Sequence, residues 1–190
     1  MGKKIGLFWL RDDFRMIKNH GLAEATKNHD QVVVFYLYKK STYDNQEAQR
    51  WWLSKSLLSF QKKLNDFNIN LEIIETESFK VFFEKLVKKD DISIYWNKVY
   101  EPDYLKFDKY LLKNLTTKNI HFKIGKGNTL NELDEVKKSD GTPFKVFTPF
   151  WRNAEKYYFE KIPLKEKIIK KCLRKKNYFQ GCIDPEKILP

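Results

Sequence analysis

The chain has 190 residues, 42% of them hydrophobic and 16% aromatic, with a formal net charge of +12. This length is typical of one domain with a core of ordinary size, and 33% charged residues provide a well-solvated surface. The composition excludes extensive disorder, and no apolar run approaches the roughly 20 residues of a membrane span. Because the N-terminus lacks a cleavable leader pattern, we expect a cytoplasmic protein without membrane contact.

The positive charge has two interpretations, and the sequence leaves both open. Clustered lysines and arginines would attract the phosphates of a nucleic acid. Lysines spread over every predicted helix would instead reflect a lysine-rich composition. The two cysteines, Cys172 and Cys182, form no CxxC motif and have no histidine at metal-ligand spacing. We therefore expect reduced thiols and neither a disulfide framework nor a metal site.

Strands and helices are predicted to alternate along the first 125 residues. Apolar, β-branched and aromatic runs predict strands, and apolar residues at helical spacing predict the helices between them. The predicted strands cover residues 5–10, 31–38, 70–75, 92–96 and 120–124. The predicted helices cover residues 19–29, 46–67 and 78–89 and a fourth segment that opens at Pro102.

This alternation predicts a Rossmann-like, doubly wound α/β fold with helices on both faces of a five-stranded parallel sheet. The usual strand order for such a sheet is 3-2-1-4-5, in which strands one and four are neighbours where the winding reverses. Ligands bind at that point, outside the carboxyl ends of the strands. Residues 9–15 and 96–101 leave those two ends and are the predicted ligand loops.

The pattern changes after Gly125. Two short extended pieces are predicted around an Asp140-Gly141 turn, followed by a helix over residues 149–160 with Thr148 as its cap. Residues 161–176 are lysine-rich, and the closing stretch has the composition of a linker. The predicted organisation is therefore an α/β domain over residues 1–160 and a basic tail over residues 161–190.

Several ordered motifs resemble those of the DNA photolyase and cryptochrome family. W-L-R-D-D-F-R at residues 9–15 resembles the family's W-F-R-x-D-L-R, and the continuation to Leu22 resembles D-N-x-A-L. W-N-K-V-Y-E-P at residues 96–102 resembles W-N-x-x-x-E-P. G-T-P-F-K-V-F-T-P-F at residues 141–150 resembles G-x-P-Y-x-V-F-T-P-F. The resemblance covers residues 1–160.

The resemblance implies the N-terminal α/β domain that carries the light-harvesting antenna. In that family the antenna passes excitation to reduced FAD in a separate helical domain, where an electron is donated to a pyrimidine dimer in DNA. The sequence contains no such helical domain, so FAD is expected only there and this chain alone is not expected to catalyse repair. The implied partner is a helical FAD-binding domain or a second chain, and contact with DNA would be indirect.

The resemblance also suggests residues for an antenna site, which we expect to hold a folate or a flavin. A deazaflavin is less expected, because relatives that bind one carry Asp where this chain has Val99. Each candidate has a structural alternative as a helix cap, a core residue or a solvated side chain. The antenna candidates are Asn97, Glu101, Phe35, Tyr36 and Arg50.

Another set of residues is predicted to face the helical domain. Charged residues of the first loop would lock that loop and dock the partner, and aromatic residues near position 150 would pack against it. None of these residues is expected to be catalytic. The docking candidates are Arg11, Asp13, Arg15, Phe147 and Phe150.

Other functions remain open from the sequence. The chain would also suit a truncated cryptochrome-like domain, or a nucleotide-binding or interaction domain of the same fold without photochemistry. A dinucleotide site of the usual kind is disfavoured, because no GxGxxG follows the first strand. A simple nucleic-acid binder would need its positive charge concentrated on one face.

Overall fold

A computed structural model describes residues 5–88, 92–117, 119–127, 129, 132, 135–160, 169–173 and 177–190, without the side chains of 157–160. The strands are β1 (Ile5–Leu10), β2 (Val32–Tyr38), β3 (Asn70–Glu75), β4 (Ile92–Asn97) and β5 (Ile120–Gly125). The helices are α1 (His20–Asn28), α2 (Glu47–Asn65), α3 (Phe79–Leu86), α4 (Pro102–Asn114) and α5 (Phe147–Glu160), with short 3₁₀ helices at Lys40–Tyr43 and Pro185–Ile188.

The five strands form one parallel sheet in the order β3-β2-β1-β4-β5, which confirms the predicted topology. Strand β1 lies at the centre, paired with β2 on one side and β4 on the other. Every residue of β2 and of β4 is buried, as expected for strands that are covered by helices on both faces.

The core consists of two apolar layers, one on each face of the sheet. Alternate residues of β1 point to opposite faces, so Phe8 and Leu10 join one layer while Leu7 and Trp9 join the other. Helices α1 and α2 contribute to the first layer, and α3 and α4 contribute to the second. No helix among the described residues is both long enough and apolar enough to span a membrane.

The helix starts follow from local capping chemistry. The Asn19 side chain accepts a hydrogen bond from the Leu22 N–H and so caps α1, and Ser78 does the same for α3 through Val81. Helix α4 opens on Pro102, whose missing N–H costs nothing in a first helical turn.

The segment between β5 and α5 differs from its prediction. The predicted extended pieces around Asp140 are wrong, because residues 135–146 form turns and irregular backbone. The Asp140 carboxylate accepts from both the N–H and the hydroxyl of Thr142, so the turn is satisfied locally and pairs with no strand. Helix α5 begins at Phe147, two residues before the predicted start; Pro149 is accommodated because first-turn N–H groups need no helical partner.

The C-terminal residues that the structure describes pack on the sheet. Ile169 and Cys172 are buried in the layer with α1 and α2, and Phe179 is buried in the opposite layer. The Ile183 N–H donates to the Ile73 carbonyl at 2.9 Å, an antiparallel bridge on the β3 edge. The predicted basic tail therefore contains a stretch, residues 177–190, that covers an edge of the sheet.

Candidate functional site

An open crevice lies at the carboxyl ends of the central strands and consists of two adjoining hollows. The β1–β4 hollow, of about 600 Å³, lies between the loops that follow β1 and β4. The β1–β2 hollow, of about 570 Å³, lies between the ends of β1 and β2 and helices α3 and α4. Trp9, Arg11, Asp12 and Glu101 line both hollows. This is the position that the topology predicts for a ligand.

The β1–β2 hollow has an aromatic lining with a charged rim. Lys39, Lys80, Glu77 and Asp103 lie at its edge. Aromatic walls with a few polar groups are typical of sites for flat organic ligands. The aromatic lining residues are Trp9, Tyr36, Tyr43, Phe79, Tyr104 and Phe107.

Two tyrosines of this lining remain neutral well above physiological pH. The Tyr36 hydroxyl lies 3.2 Å from the Tyr43 hydroxyl, and burial raises the pKa of Tyr36 well above its usual value. Burial, followed by the negative charge of Asp12, raises the pKa of Tyr104 to about 12. Both phenols can therefore donate a hydrogen bond to a ligand.

Asp12 supplies a carboxylate between the two hollows. Partial removal from water raises the pKa of its side chain, and the neighbouring Arg11 cation opposes that rise. Glu101, just before α4, is exposed and lines both hollows without capping the helix through its side chain. The predicted candidates Glu101 and Tyr36 therefore both lie at the crevice.

Arg11 forms the floor of the crevice and is only 4% exposed. Its guanidinium pairs with the Asp108 carboxylate, which also accepts from the Trp96 indole N–H at 3.1 Å. The guanidinium carbon also lies 4.0 Å from the Trp9 ring centroid and 4.7 Å from that of Tyr104. The protein's own side chains therefore enclose Arg11, and its docking role stays a prediction.

Asn97 holds the first loop in place. Its Nδ2 donates to Asp13 Oδ2 and to Asn19 Oδ1, both at 2.8 Å, and its Oδ1 accepts from the Gly21 N–H at 2.7 Å. A Cβ on Gly125 would lie 2.5 Å from that Oδ1, so the close approach requires glycine. Asn97 borders the β1–β4 hollow, and its amide already makes three hydrogen bonds within the protein; its antenna contact stays a prediction.

Asp13 belongs to the same network and is also buried. It accepts from Arg15 Nε and Nη2, each at 2.7 Å, besides the contact from Asn97. The oxygens of Asp13 therefore have partners within the protein, and its docking role stays a prediction. Arg15 keeps 42% of its side chain exposed, and its docking role stays a prediction.

Two further antenna candidates lie away from the crevice. Phe35 is fully buried, with its ring centroid 5.5 Å from that of Phe179, so its described contacts are those of a core residue and its antenna role stays a prediction. Arg50 donates from Nε to the Ile188 carbonyl at 3.0 Å and from Nη2 to the Leu189 carbonyl at 2.7 Å. Its described contacts therefore hold the C-terminal segment, and the residue does not line either hollow.

The remaining docking candidates are on α5. Phe147 is 71% exposed and its ring stacks on that of Trp151 at 6.2 Å, while Phe150 is partly buried. Val146 adds further exposed apolar surface, at 63%. We call Val146, Phe147, Phe150 and Trp151 the α5 apolar face.

Sequence reasoning did not identify three contributors to the crevice: Tyr43, Tyr104 and Phe107. Tyr104 and Phe107 are three residues apart on α4 and so share a helix face. The sequence could have indicated both residues, because they follow the end of a predicted strand closely. Side chains in the first turns of such a helix lie beside the predicted ligand position. Tyr43 comes from a 3₁₀ turn that no periodicity marks.

The similarity of this chain to known proteins shows which family it belongs to. The model of the DNA photolyase family matches residues 6–167. The chain belongs to the DNA photolyase family. A deoxyribodipyrimidine photo-lyase of Agrobacterium fabrum is 27% identical over 149 residues, which cover 78% of this chain and 31% of that protein. The chain thus spans about a third of the length of this photolyase relative.

Solved photolyase structures share the fold. A class III photolyase from Agrobacterium tumefaciens superposes with a TM-score of 0.82 at 24% identity, covering 100% of this chain and 39% of that one. An archaeal photolyase from Sulfolobus tokodaii, solved with two FAD molecules and described as implicating a novel light-harvesting cofactor, gives a TM-score of 0.75 at 19% identity. That match covers 97% of this chain and 40% of the archaeal one.

Proposed function

We propose that this chain is the antenna-binding part of a DNA photolyase and that its β1–β2 hollow binds a folate or a flavin. The observation that carries the proposal is the aromatic, partly polar hollow at the carboxyl ends of β1 and β2, which adjoins the point between β1 and β4 where the sheet's winding reverses. In this role the bound chromophore absorbs light and passes excitation to FAD held outside this chain. DNA repair would then require a helical flavin domain that associates with this domain.

The chemistry of the hollow suits a flat heterocycle with both donors and acceptors at its edge. Tyr104 and Phe107 offer ring faces for stacking, and the neutral Tyr104 hydroxyl offers a donor. Asp12 and Glu101 offer acceptors for ring N–H groups. Lys39 and Lys80 at the rim would attract the carboxylates of a folate or the phosphate of a flavin nucleotide.

A flavin gains support from the Sulfolobus tokodaii relative, which contains two FAD molecules. A deazaflavin lacks comparable support, because this chain carries Val99 where family members that bind a deazaflavin carry Asp. The choice between folate and flavin follows from their spectra, which differ in the near-ultraviolet and blue.

Purification of the chain from its own host, followed by an absorption spectrum, tests the proposal. We expect a near-ultraviolet or blue band, or its appearance after incubation with a reduced folate, FMN or FAD. Folded protein that carries no chromophore and takes up none would overturn the antenna function. Binding of an adenine nucleotide alone would instead support a nucleotide-binding domain without photochemistry.

We also propose that the α5 apolar face docks a helical flavin domain. Apolar side chains exposed at one place on a surface indicate a binding site for another protein surface. The chain covers about a third of its Agrobacterium fabrum relative, so the remaining two thirds of such a photolyase is the natural occupant. Arg15 would add a charge to the same docking.

A further inference from the structure

The outward face of α2 carries two tryptophans that the antenna proposal does not use. Trp51 is 49% exposed and Trp52 is 67% exposed, and their ring centroids lie 6.2 Å apart. Tryptophan is normally highly buried, so two neighbouring exposed indoles call for a functional explanation. Helix α2 is long, and its opposite face already packs on the sheet through Leu53, Leu57 and Phe60.

Trp52 borders two hollows in which a flat group can lie against the indole. One hollow, of about 540 Å³, is shared with Phe14 and Tyr43 from other elements. The other, of about 300 Å³, is shared with Phe14, Lys55 and Lys63. The second hollow therefore combines an aromatic ring surface with two cationic side chains.

The charged side chains of this helix are lysines from Trp51 onward, whereas its first turn carries Glu47. From residue 51 to residue 65 the sequence contains Lys55, Lys62 and Lys63 and no aspartate or glutamate. All three lysines are exposed, and no ion pair found between described residues involves them. Asp66, exposed at the C-cap, follows the helix directly, and Asp12 lines the larger hollow beyond Trp52. Positive charge is therefore concentrated toward the C-terminal end of α2.

We propose that this tryptophan–lysine face, formed by Trp51, Trp52, Lys55, Lys62 and Lys63, binds single-stranded nucleic acid. Exposed bases would stack on the indoles while the lysines contact the phosphates, the combination used by single-strand binders without sequence preference. A duplex fits less well, because its bases are already stacked on one another and cannot reach Trp52. An apolar protein partner would leave three lysines desolvated without acids to meet them.

The dimensions of the face suit a short segment of strand. Eleven residues separate Trp52 from Lys63, which at about 1.5 Å per residue gives about 16 Å along the helix. At about 3.4 Å per phosphate this length spans about five phosphates. The face lies on a different element from α5, so it can act whether or not the antenna proposal holds.

Titration of the chain with an oligothymidylate, followed by tryptophan fluorescence at several salt concentrations, tests the proposal. We expect quenching on binding and about a tenfold or greater loss of affinity in Trp52→Ala, since one stacked base contributes about 1–3 kcal/mol. The double variant Lys55→Ala/Lys63→Ala should lower the slope of log affinity against log salt by about 1.4, at about 0.7 per lost single-strand contact.

Matched controls separate this face from general charge and general exposure. Leu112→Ala removes another exposed apolar side chain, 42% exposed on α4, and Lys106→Ala removes a lysine with a 79% exposed side chain on the same helix; both should bind as the unchanged chain does. All five substituted positions are exposed, and circular dichroism checks that every variant folds. Equal affinity in Trp52→Ala, a preference for duplex, or equally tight binding of inorganic polyphosphate would each overturn the proposal.

Discussion

Asp108 is the residue on which the floor of the crevice depends. Its carboxylate pairs with buried Arg11 and accepts from the Trp96 indole, while only 4% of the residue is exposed. Removing one partner of a buried ion pair leaves the other charge in a poorly solvated place. The geometry of Arg11, and through it the position of the Trp9 and Tyr104 rings, rests on this pairing.

We predict that Asp108→Ala lowers the free energy of unfolding by about 3–5 kcal/mol, because Arg11 loses its counter-charge. Asp103→Ala, at a fully exposed carboxylate on the same helix, is the control and should change it by less than about 0.5 kcal/mol. Urea denaturation measures both. Similar losses for the two variants would show that the buried pair has no special role.

The two thiols give a prediction for pH dependence. Burial raises the pKa of Cys172 to about 11, and burial followed by the Glu72 charge raises the pKa of Cys182 to about 11. Because the thiolate is the reactive form, alkylation of either cysteine near pH 8 should be about 100-fold slower in the folded chain than in urea. The alkylation rate of the folded chain should rise tenfold per pH unit until about pH 11. A plateau near pH 9 would contradict the prediction that burial raises the pKa of these thiols.

At the residue scale, the sequence predicted positions better than roles. Glu101 and Tyr36 were correctly expected near the strand ends. The hydrogen bonds of Asn97 were not predicted because its partners, at positions 13, 19 and 21, are brought to it only by the fold. No local pattern shows that an amide is bonded by residues more than 70 positions away.

Among the elements, the C-terminal segment closes the edge that β3 would otherwise expose. Glu72, buried in β3, accepts from the Tyr178 N–H at 2.8 Å and from the Phe179 N–H at 2.7 Å. Arg50 holds the far end of the segment through the Ile188 and Leu189 carbonyls. Covered edges are protected from pairing with another chain.

We predict that Glu72→Gln releases this segment, because an amide offers one acceptor where the carboxylate offers two charged ones. Charge-assisted hydrogen bonds of this kind contribute about 1.5–3 kcal/mol. Hydrogen exchange should show faster exchange at the amides of Tyr178 and Phe179 with the central strands unchanged. Glu75→Gln, at an exposed position of the same strand, is the control. Equal effects of the two substitutions would contradict the prediction that Glu72 holds the C-terminal segment.

The strands and helices were the part of this structure that the sequence predicted best. All five strands and the first four helices were found because buried strands and amphipathic helices leave strong periodic patterns. The C-terminal segment was taken for a linker because its few hydrophobic residues, such as Phe179 and Ile183, are irregularly spaced. Their burial depends on the Glu72 carboxylate and the β3 edge, which are distant in sequence.

On the scale of the whole molecule, three separate surfaces have different proposed functions. The crevice at the strand ends is the proposed antenna site, the α5 apolar face is the proposed docking surface, and the tryptophan–lysine face is the proposed strand-binding surface. The family membership supports the first two, and the third comes from the exposed residues of α2 alone.

The docking proposal predicts that Phe147→Ser weakens association with a photolyase flavin domain from the same source organism. Burying a phenylalanine contributes about 1.5–3 kcal/mol, so the dissociation constant should rise about 10- to 100-fold. Analytical ultracentrifugation of the two purified domains measures this constant. Leu112→Ser, at an exposed apolar residue of α4, is the control and should leave it unchanged; a tight complex of the Phe147→Ser variant would rule out the α5 apolar face.

The most direct test of the central claim is a fluorescence titration of FAD, FMN and a reduced folate with the unchanged chain and with Tyr104→Leu. If the β1–β2 hollow is the antenna site, at least one of these chromophores binds the unchanged chain. Tyr104→Leu should weaken that binding about tenfold or more, since a stacking ring and a hydroxyl donor are lost. Lys106→Ala should bind normally. A chromophore that binds Tyr104→Leu as tightly as the unchanged chain would contradict the assignment of the antenna to this hollow.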